Sequence, residues 1–162
     1  MSSFSGGQLR QCDAKLEAAG WTPADVTLLG QMEVEDLRKL RDQVRRHNII
    51  AAIEQGLTEL WLHPDQRTSW AKGWVIHRHL VDNNLLADCV GDEGLNVIKA
   101  EEKKRPGFYQ KHFGGKAIFA WRSVRDGRVS YLDKSEGGLY RNRVRLDDYC
   151  NSNDPALRFR MK

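Results

Sequence analysis

An Asp-Gly pair between two strand-like runs forces a chain to reverse direction within two residues. Asp126-Gly127 stands between the runs 116–124 and 128–132. Glu136-Gly137-Gly138 supplies a second reversal, after which 139–146 makes a third strand. The last third of the chain is therefore expected to be a small antiparallel three-stranded meander. Phe119, Trp121 and Leu132 should share one apolar layer, since a small sheet persists only if it buries a face. The third strand carries an arginine at every second position, Arg141, Arg143 and Arg145. Strand side chains alternate between faces, so these three share one face, while Tyr140, Val144 and Leu146 turn toward whatever the sheet packs on.

Ahead of this unit the pattern is helical. Leu9, Cys12 and Leu16 recur at helical spacing in 8–19, and Gly20 is placed as a C-terminal cap. In Trp21-Thr22-Pro23-Ala24-Asp25-Val26, Thr22 suits the N-cap, Pro23 the first helical position and Asp25 the reciprocal cap. Trp21 and Val26 are spaced as a hydrophobic staple, and Gly30 reads as the stop. A third helix is expected over 34–47, with Val34, Leu37, Leu40 and Val44 turned inward and Arg38, Arg41 and Arg45 along one side. The middle segment predicts an amphipathic helix over 69–82 carrying Trp70, Trp74 and Leu80. A turn follows at Gly91-Asp92-Glu93-Gly94, then a short helix from Leu95 ending in the charged run 101–105.

With 162 residues and 40% hydrophobic content, the chain suits one domain, or two small ones sharing a core. No apolar stretch approaches the roughly 20 residues that cross a bilayer, and the N-terminal residues lack the basic and apolar regions of a secretory signal. Cys12, Cys89 and Cys150 are too few and too scattered for a disulfide framework or a metal knuckle, which favours a reducing cytoplasm. Charge is unevenly divided. Residues 1–98 hold 10 Lys/Arg against 14 Asp/Glu, and residues 99–162 hold 16 against 8. A basic second half suits contact with nucleic acid or an acidic surface, and it also suits attraction between the two halves of one fold.

Motifs for catalysis are thin. His77 and His79 lie two apart on an expected helix and diverge by about 200°, so they cannot share an ion. Asp147, Asp148 and Asp154 lack the ligand pattern of a calcium loop. Gly114-Gly115 and Gly137-Gly138 lack the context of a phosphate loop. No catalytic residue, metal or cofactor is expected. The candidate binding set is Arg122, Arg125, Arg128, Arg141, Arg143, Arg145 and Tyr140, because guanidinium forks grip phosphates and exposed aromatics stack on unpaired bases. A soluble, charge-protected sheet face has the same composition. As an alternative, tight turn followed by basic helix suggests a helix-turn-helix reader that puts Arg38, Arg41 and Arg45 into a duplex groove.

Several short stretches together resemble a group of small uncharacterised proteins from candidate-phyla bacteria. They are Gly20-Trp21-Thr22-Pro23-Ala24-Asp25-Val26, Leu29-Gly30, Gly115-Lys116-Ala117-Ile118-Phe119-Ala120-Trp121, Asp126-Gly127-Arg128, Arg145-Leu146-Asp147-Asp148 and Asn153-Asp154-Pro155-Ala156. That resemblance implies a helical N-terminal part followed by a Trp-rich strand module ending in an Asn-Pro-Ala-like turn, and it transfers no catalytic residues. The chain departs from the pattern at Leu139-Tyr140-Arg141-Asn142-Arg143, where the group has an aromatic strand. The expected build is α+β, with a helical N-terminal part (1–56), a helical middle (57–106) and a basic β-meander (107–162) in one compact unit. The expected role is a non-enzymatic cytoplasmic binding or adaptor protein. Its basic β-face would meet nucleic acid first, or else an acidic protein surface as an adaptor or inhibitor, with no membrane partner.

Overall fold

A computed structural model describes residues 5–160, apart from the side chains of residues 42 and 45–47. The chain divides into two units, 1–43 and 44–162. In the first, helix α1 (Gly6–Ala18) starts at Ser5, whose hydroxyl accepts from the Gln8 N–H while the Gln8 side chain accepts from the Ser5 N–H. Helix α2 (Pro23–Gln31) starts as the Thr-Pro-x-Asp pattern requires. Thr22 Oγ1 accepts from the Asp25 N–H at 3.3 Å, and Asp25 accepts from the Thr22 N–H at 2.8 Å. Gly30 lies inside this helix rather than ending it, and Met32 is the cap. Helix α3 (Val34–His47) has the expected bounds. Among the described residues of 5–43 none is buried, and Leu9, Trp21, Val26, Leu28, Val34 and Leu37 are all exposed.

The second unit holds the core. Its order is α4 (Ile49–Glu54), β1 (Thr58–Trp61), α5 (Pro64–Thr68), β2 (Ala71–Lys72), α6 (Gly73–Asp82), α7 (Asp92–Lys104), α8 (Phe108–Phe113), β3 (Ile118–Phe119), β4 (Arg128–Ser135), β5 (Gly138–Arg145), β6 (Tyr149–Cys150) and β7 (Ala156–Phe159). The architecture is α+β, but the three-stranded meander is corrected to a five-stranded mixed sheet, β1-β7-β3-β4-β5, beside a two-stranded ribbon, β2-β6. Two causes account for the difference. Only Ile118 and Phe119 of the run 116–124 pair as strand before a 3-10 turn at Trp121–Ser123 bends the chain away. The tail then inserts β7 between β1, which it pairs antiparallel, and β3, which it pairs parallel.

Register decides what each face carries. Ile118 sits opposite Leu132 and Phe119 opposite Tyr131, so adjacent positions serve different layers. One layer packs Ile49, Ile53, Leu95, Ile98, Phe108, Tyr109, Phe113, Ile118, Leu132 and Leu157, joining α4, α7 and α8 to the sheet. The other packs Ala71, Ile76, Leu80, Cys89, Phe119, Trp121, Val129, Cys150 and Ala156 beneath α6. Trp121 and Leu132, expected to share a layer, are thus on opposite sides of the sheet. Hairpin β4–β5 is the longest pairing, running from Arg128 opposite Arg145 to Ser135 opposite Gly138. The reversal ahead of it forms as expected. Asp126 (φ +51°) and Gly127 (φ +65°) occupy the left-handed region that a two-residue turn demands, and Arg125 and Arg128 exchange backbone hydrogen bonds of 3.0 Å. Among the described residues no helix is long and apolar enough to cross a membrane.

Candidate functional site

Hairpin register puts Arg141 opposite Leu132, Arg143 opposite Ser130 and Arg145 opposite Arg128, so four arginines of β4 and β5 share one sheet face. Their surroundings differ. Arg141 turns toward the first turns of α7, where it meets Asp92 at 2.8 Å, donates to Asn96 Oδ1 at 2.8 Å and reaches Ser130 Oγ at 3.3 Å. Arg145 lies 3.7 Å from Asp147, but both side chains are about 70% exposed (68% and 75%), which leaves that pair nearly worthless in water. Among the described residues, Arg125, Arg128 and Arg143 make no ion pair, and all three are exposed.

The 3-10 turn at Trp121–Ser123 supplies the remainder of the site. By bending the chain it carries Arg122 to Glu93, with which it makes an ion pair, and brings Ser123 to the start of α7. Ser123 Oγ accepts the Asp92 N–H at 2.9 Å, capping α7 from a distant segment where Gly91, the residue at the cap, has no side chain to do so. The result is a pocket of about 430 Å³ lined by Asp92, Arg122, Ser123, Val124, Arg125, Arg141 and Arg143. Asp92 Oδ1 is buried there without a hydrogen-bond partner. Four guanidinium groups thus stand around one carboxylate at the positive end of a 13-residue helix.

Of the expected binding set, Arg122, Arg125, Arg141 and Arg143 converge on this pocket, whereas Arg128, Arg145 and Tyr140 do not line it. Tyr140 sits opposite Asp133 on the other face of the hairpin and is 46% exposed, so it neither joins the arginines nor packs inward. Asp92, Glu93 and Ser123 were not foreseen. The signal was present in Gly91-Asp92-Glu93-Gly94, a glycine followed by an acidic first turn, which reads equally well as a loop.

Elsewhere, Arg38 of α3 pairs with Glu35 at 3.3 Å, both well exposed, Arg41 is engaged, and the Arg45 side chain lies outside the described residues. His79 meets His63 edge to face, with ring centroids 4.7 Å apart, and lies tilted against Trp61 at 5.6 Å. His63 is buried, and its Nδ1 accepts the Asp65 N–H at 3.2 Å to cap α5. Burial, with the neighbouring His79, holds its pKa below the ordinary imidazole value although Asp65 opposes this. Cys89 and Cys150 are buried, and burial pushes both thiols up to about 12, so neither is a ready nucleophile. Among the described residues no group of three or more His, Cys, Asp or Glu side chains could hold a metal ion.

No family model, no curated protein and no solved structure matches this chain, so function is read from these side chains alone.

Proposed function

We propose that this chain is a non-enzymatic nucleic-acid-binding protein of the cytoplasm whose basic hairpin face and adjoining arginine pocket hold phosphates. The carrying observation is the convergence of Arg122, Arg125, Arg141 and Arg143 on one pocket, with Arg125, Arg128 and Arg143 exposed around its mouth and the hairpin turn. Arg141 and Arg122 are braced by Asp92 and Glu93, so they shape the pocket. The exposed arginines are the ones available to phosphate, because an acidic ligand need not first displace a carboxylate from them.

A salt titration of binding to single-stranded RNA, single-stranded DNA and duplex DNA tests the reading. Log affinity should fall linearly with log salt, with a slope of roughly 0.7–0.9 per phosphate neutralised. Arg125→Glu, Arg128→Glu and Arg143→Glu should each weaken binding across sequences and flatten that slope by about 1. Loss of affinity on Arg38→Glu and Arg41→Glu, with the hairpin variants unaffected, would favour the groove-reading helix instead. No affinity for any nucleic acid at low salt would favour an acidic protein surface as the partner.

A further inference from the structure

The ribbon β2–β6 pairs Ala71 with Cys150 and Lys72 with Tyr149. Ala71 and Cys150 are buried, so alternation sends Lys72 and Tyr149 outward. Tyr149 is 61% exposed and Trp70, the residue before the ribbon, 58%, and the two flank a shallow hollow of about 510 Å³. Trp74, in the first turn of α6, is 41% exposed. Two of these rings carry a cation on one face: Lys72 Nζ lies 5.5 Å from the centroid of Tyr149, and the Arg78 guanidinium 5.2 Å from that of Trp74.

A single exposed aromatic is ordinary. Three within one ribbon and the helix it leads into, interleaved with two cations, form a surface of definite chemistry. The ribbon and α6 lie on the sheet face opposite the β5 arginines, tied to the chain that leaves β5. The Trp74 N–H donates to Leu146 O at 2.9 Å and the Gly73 N–H to Asp148 O at 3.0 Å, which pins the start of α6 to the turn that leaves β5 at Arg145. A Cβ on Gly73 would stand 3.0 Å from the Leu146 Cα, so any larger residue would push the two backbones apart by a few tenths of an ångström. The turn itself is held by the Arg145 N–H donating to Asp148 Oδ2 at 3.0 Å.

A ligand matching both halves of this surface needs flat π-faces for the rings and negative groups for the cations, in alternation. Unpaired nucleotides have both. A duplex hides its base faces in the stack, and an acidic peptide would satisfy the cations and leave the rings in water. We infer that Trp70, Trp74 and Tyr149 form a base-stacking platform for single-stranded nucleic acid, with Lys72 and Arg78 on its phosphates. This names the class of nucleic acid and rests on the basic-face reading above.

The test uses the full chain with labelled oligothymidylate, oligouridylate and a duplex of equal length. Trp70→Ala, Trp74→Ala and Tyr149→Ala combined should weaken both single strands by about tenfold or more. The salt slope and duplex affinity should stay unchanged, and Trp70→Phe and Trp74→Phe, which keep a ring, should restore most of the loss. Unaltered single-strand affinity in the combined variant, with the arginine reversals still damaging, overturns the platform and leaves the basic-face reading standing. Equal losses for single strand and duplex also overturn the platform. No binding by the unaltered protein removes both readings. Should the combined variant fail a circular-dichroism check of folding, the unaltered protein decides, since stacking must quench its tryptophan fluorescence on addition of oligothymidylate and unchanged emission overturns the inference.

Discussion

Two positions apart on β5, Arg141 and Arg143 sit in different electrostatic surroundings, one half-buried against Asp92, Asn96 and Ser130, the other in open solvent. Removing Arg141 leaves Asp92 without its counter-charge and the buried Ser130 hydroxyl without this contact, so Arg141→Ala should cost about 2 kcal/mol in urea unfolding. Arg143→Glu should change stability by less than about 0.5 kcal/mol while weakening the proposed binding of nucleic acid. Glu102 is a third fixed charge, accepting from the Tyr109 N–H at 2.7 Å, the Gly107 N–H at 3.1 Å and Lys134 Nζ at 3.2 Å. Burial opposes its ionisation, yet these donors outweigh it and hold its pKa below the ordinary value of 4.5. Its stabilisation is present above that value and lost as pH falls through the folded-state pKa. Glu102→Ala should cost about 2 kcal/mol at neutral pH. His63 acts at higher pH. Its folded pKa lies below 6.5, so the unfolded chain takes up the proton first, and stability is full above 6.5 and declines as pH falls below it. Asn at this cap accepts the same N–H without titrating, so His63→Asn should flatten the fall in urea midpoint between about pH 7 and about pH 5.

At the scale of elements, legibility followed locality. The Thr22-Pro23-x-Asp25 start of α2 and the Asp126-Gly127 reversal were readable because the hydrogen bonds that define them close within three residues. Strand β7 was not readable. It is flanked by strands on both sides and covered on both faces, so Ala156, Leu157, Arg158 and Phe159 are all buried, although the alternation of Leu157 and Phe159 with Arg158 and Arg160 suggests a half-exposed strand. Arg158 lies buried 3.5 Å from Glu59 and 3.7 Å from Asp88. The helical contact of α4 with α7 turns on one glycine. A Cβ at Gly94 would stand 2.3 Å from Val90 Cγ1 and 3.0 Å from Ile49 Cδ1, both in the packed core. Gly94→Ala should therefore destabilise by about 1–3 kcal/mol, the reverse of the gain of about 1 kcal/mol that helix propensity alone predicts. Thermal unfolding of the two proteins gives the sign.

At the scale of the molecule, every buried residue among those described lies at position 49 or beyond. A chain beginning at residue 44 should therefore unfold cooperatively with a midpoint within about 3 °C of the full chain, since burial carries most of the stability. A much lower midpoint would mean that 1–43 contributes to the core after all. The sequence by itself determined what depends on near neighbours: the start of α2, the hairpin reversal, and the alternation that puts Arg141, Arg143 and Arg145 on one face. Tertiary structure alone decided which of those arginines remains available. Arg141 finds its partner Asn96 45 residues away, and Arg122 reaches the same pocket only because a 3-10 turn replaces the strand its run suggests. Backbone alternation is a property of adjacent residues, whereas ion pairing across a fold is settled by which distant segments the core brings together.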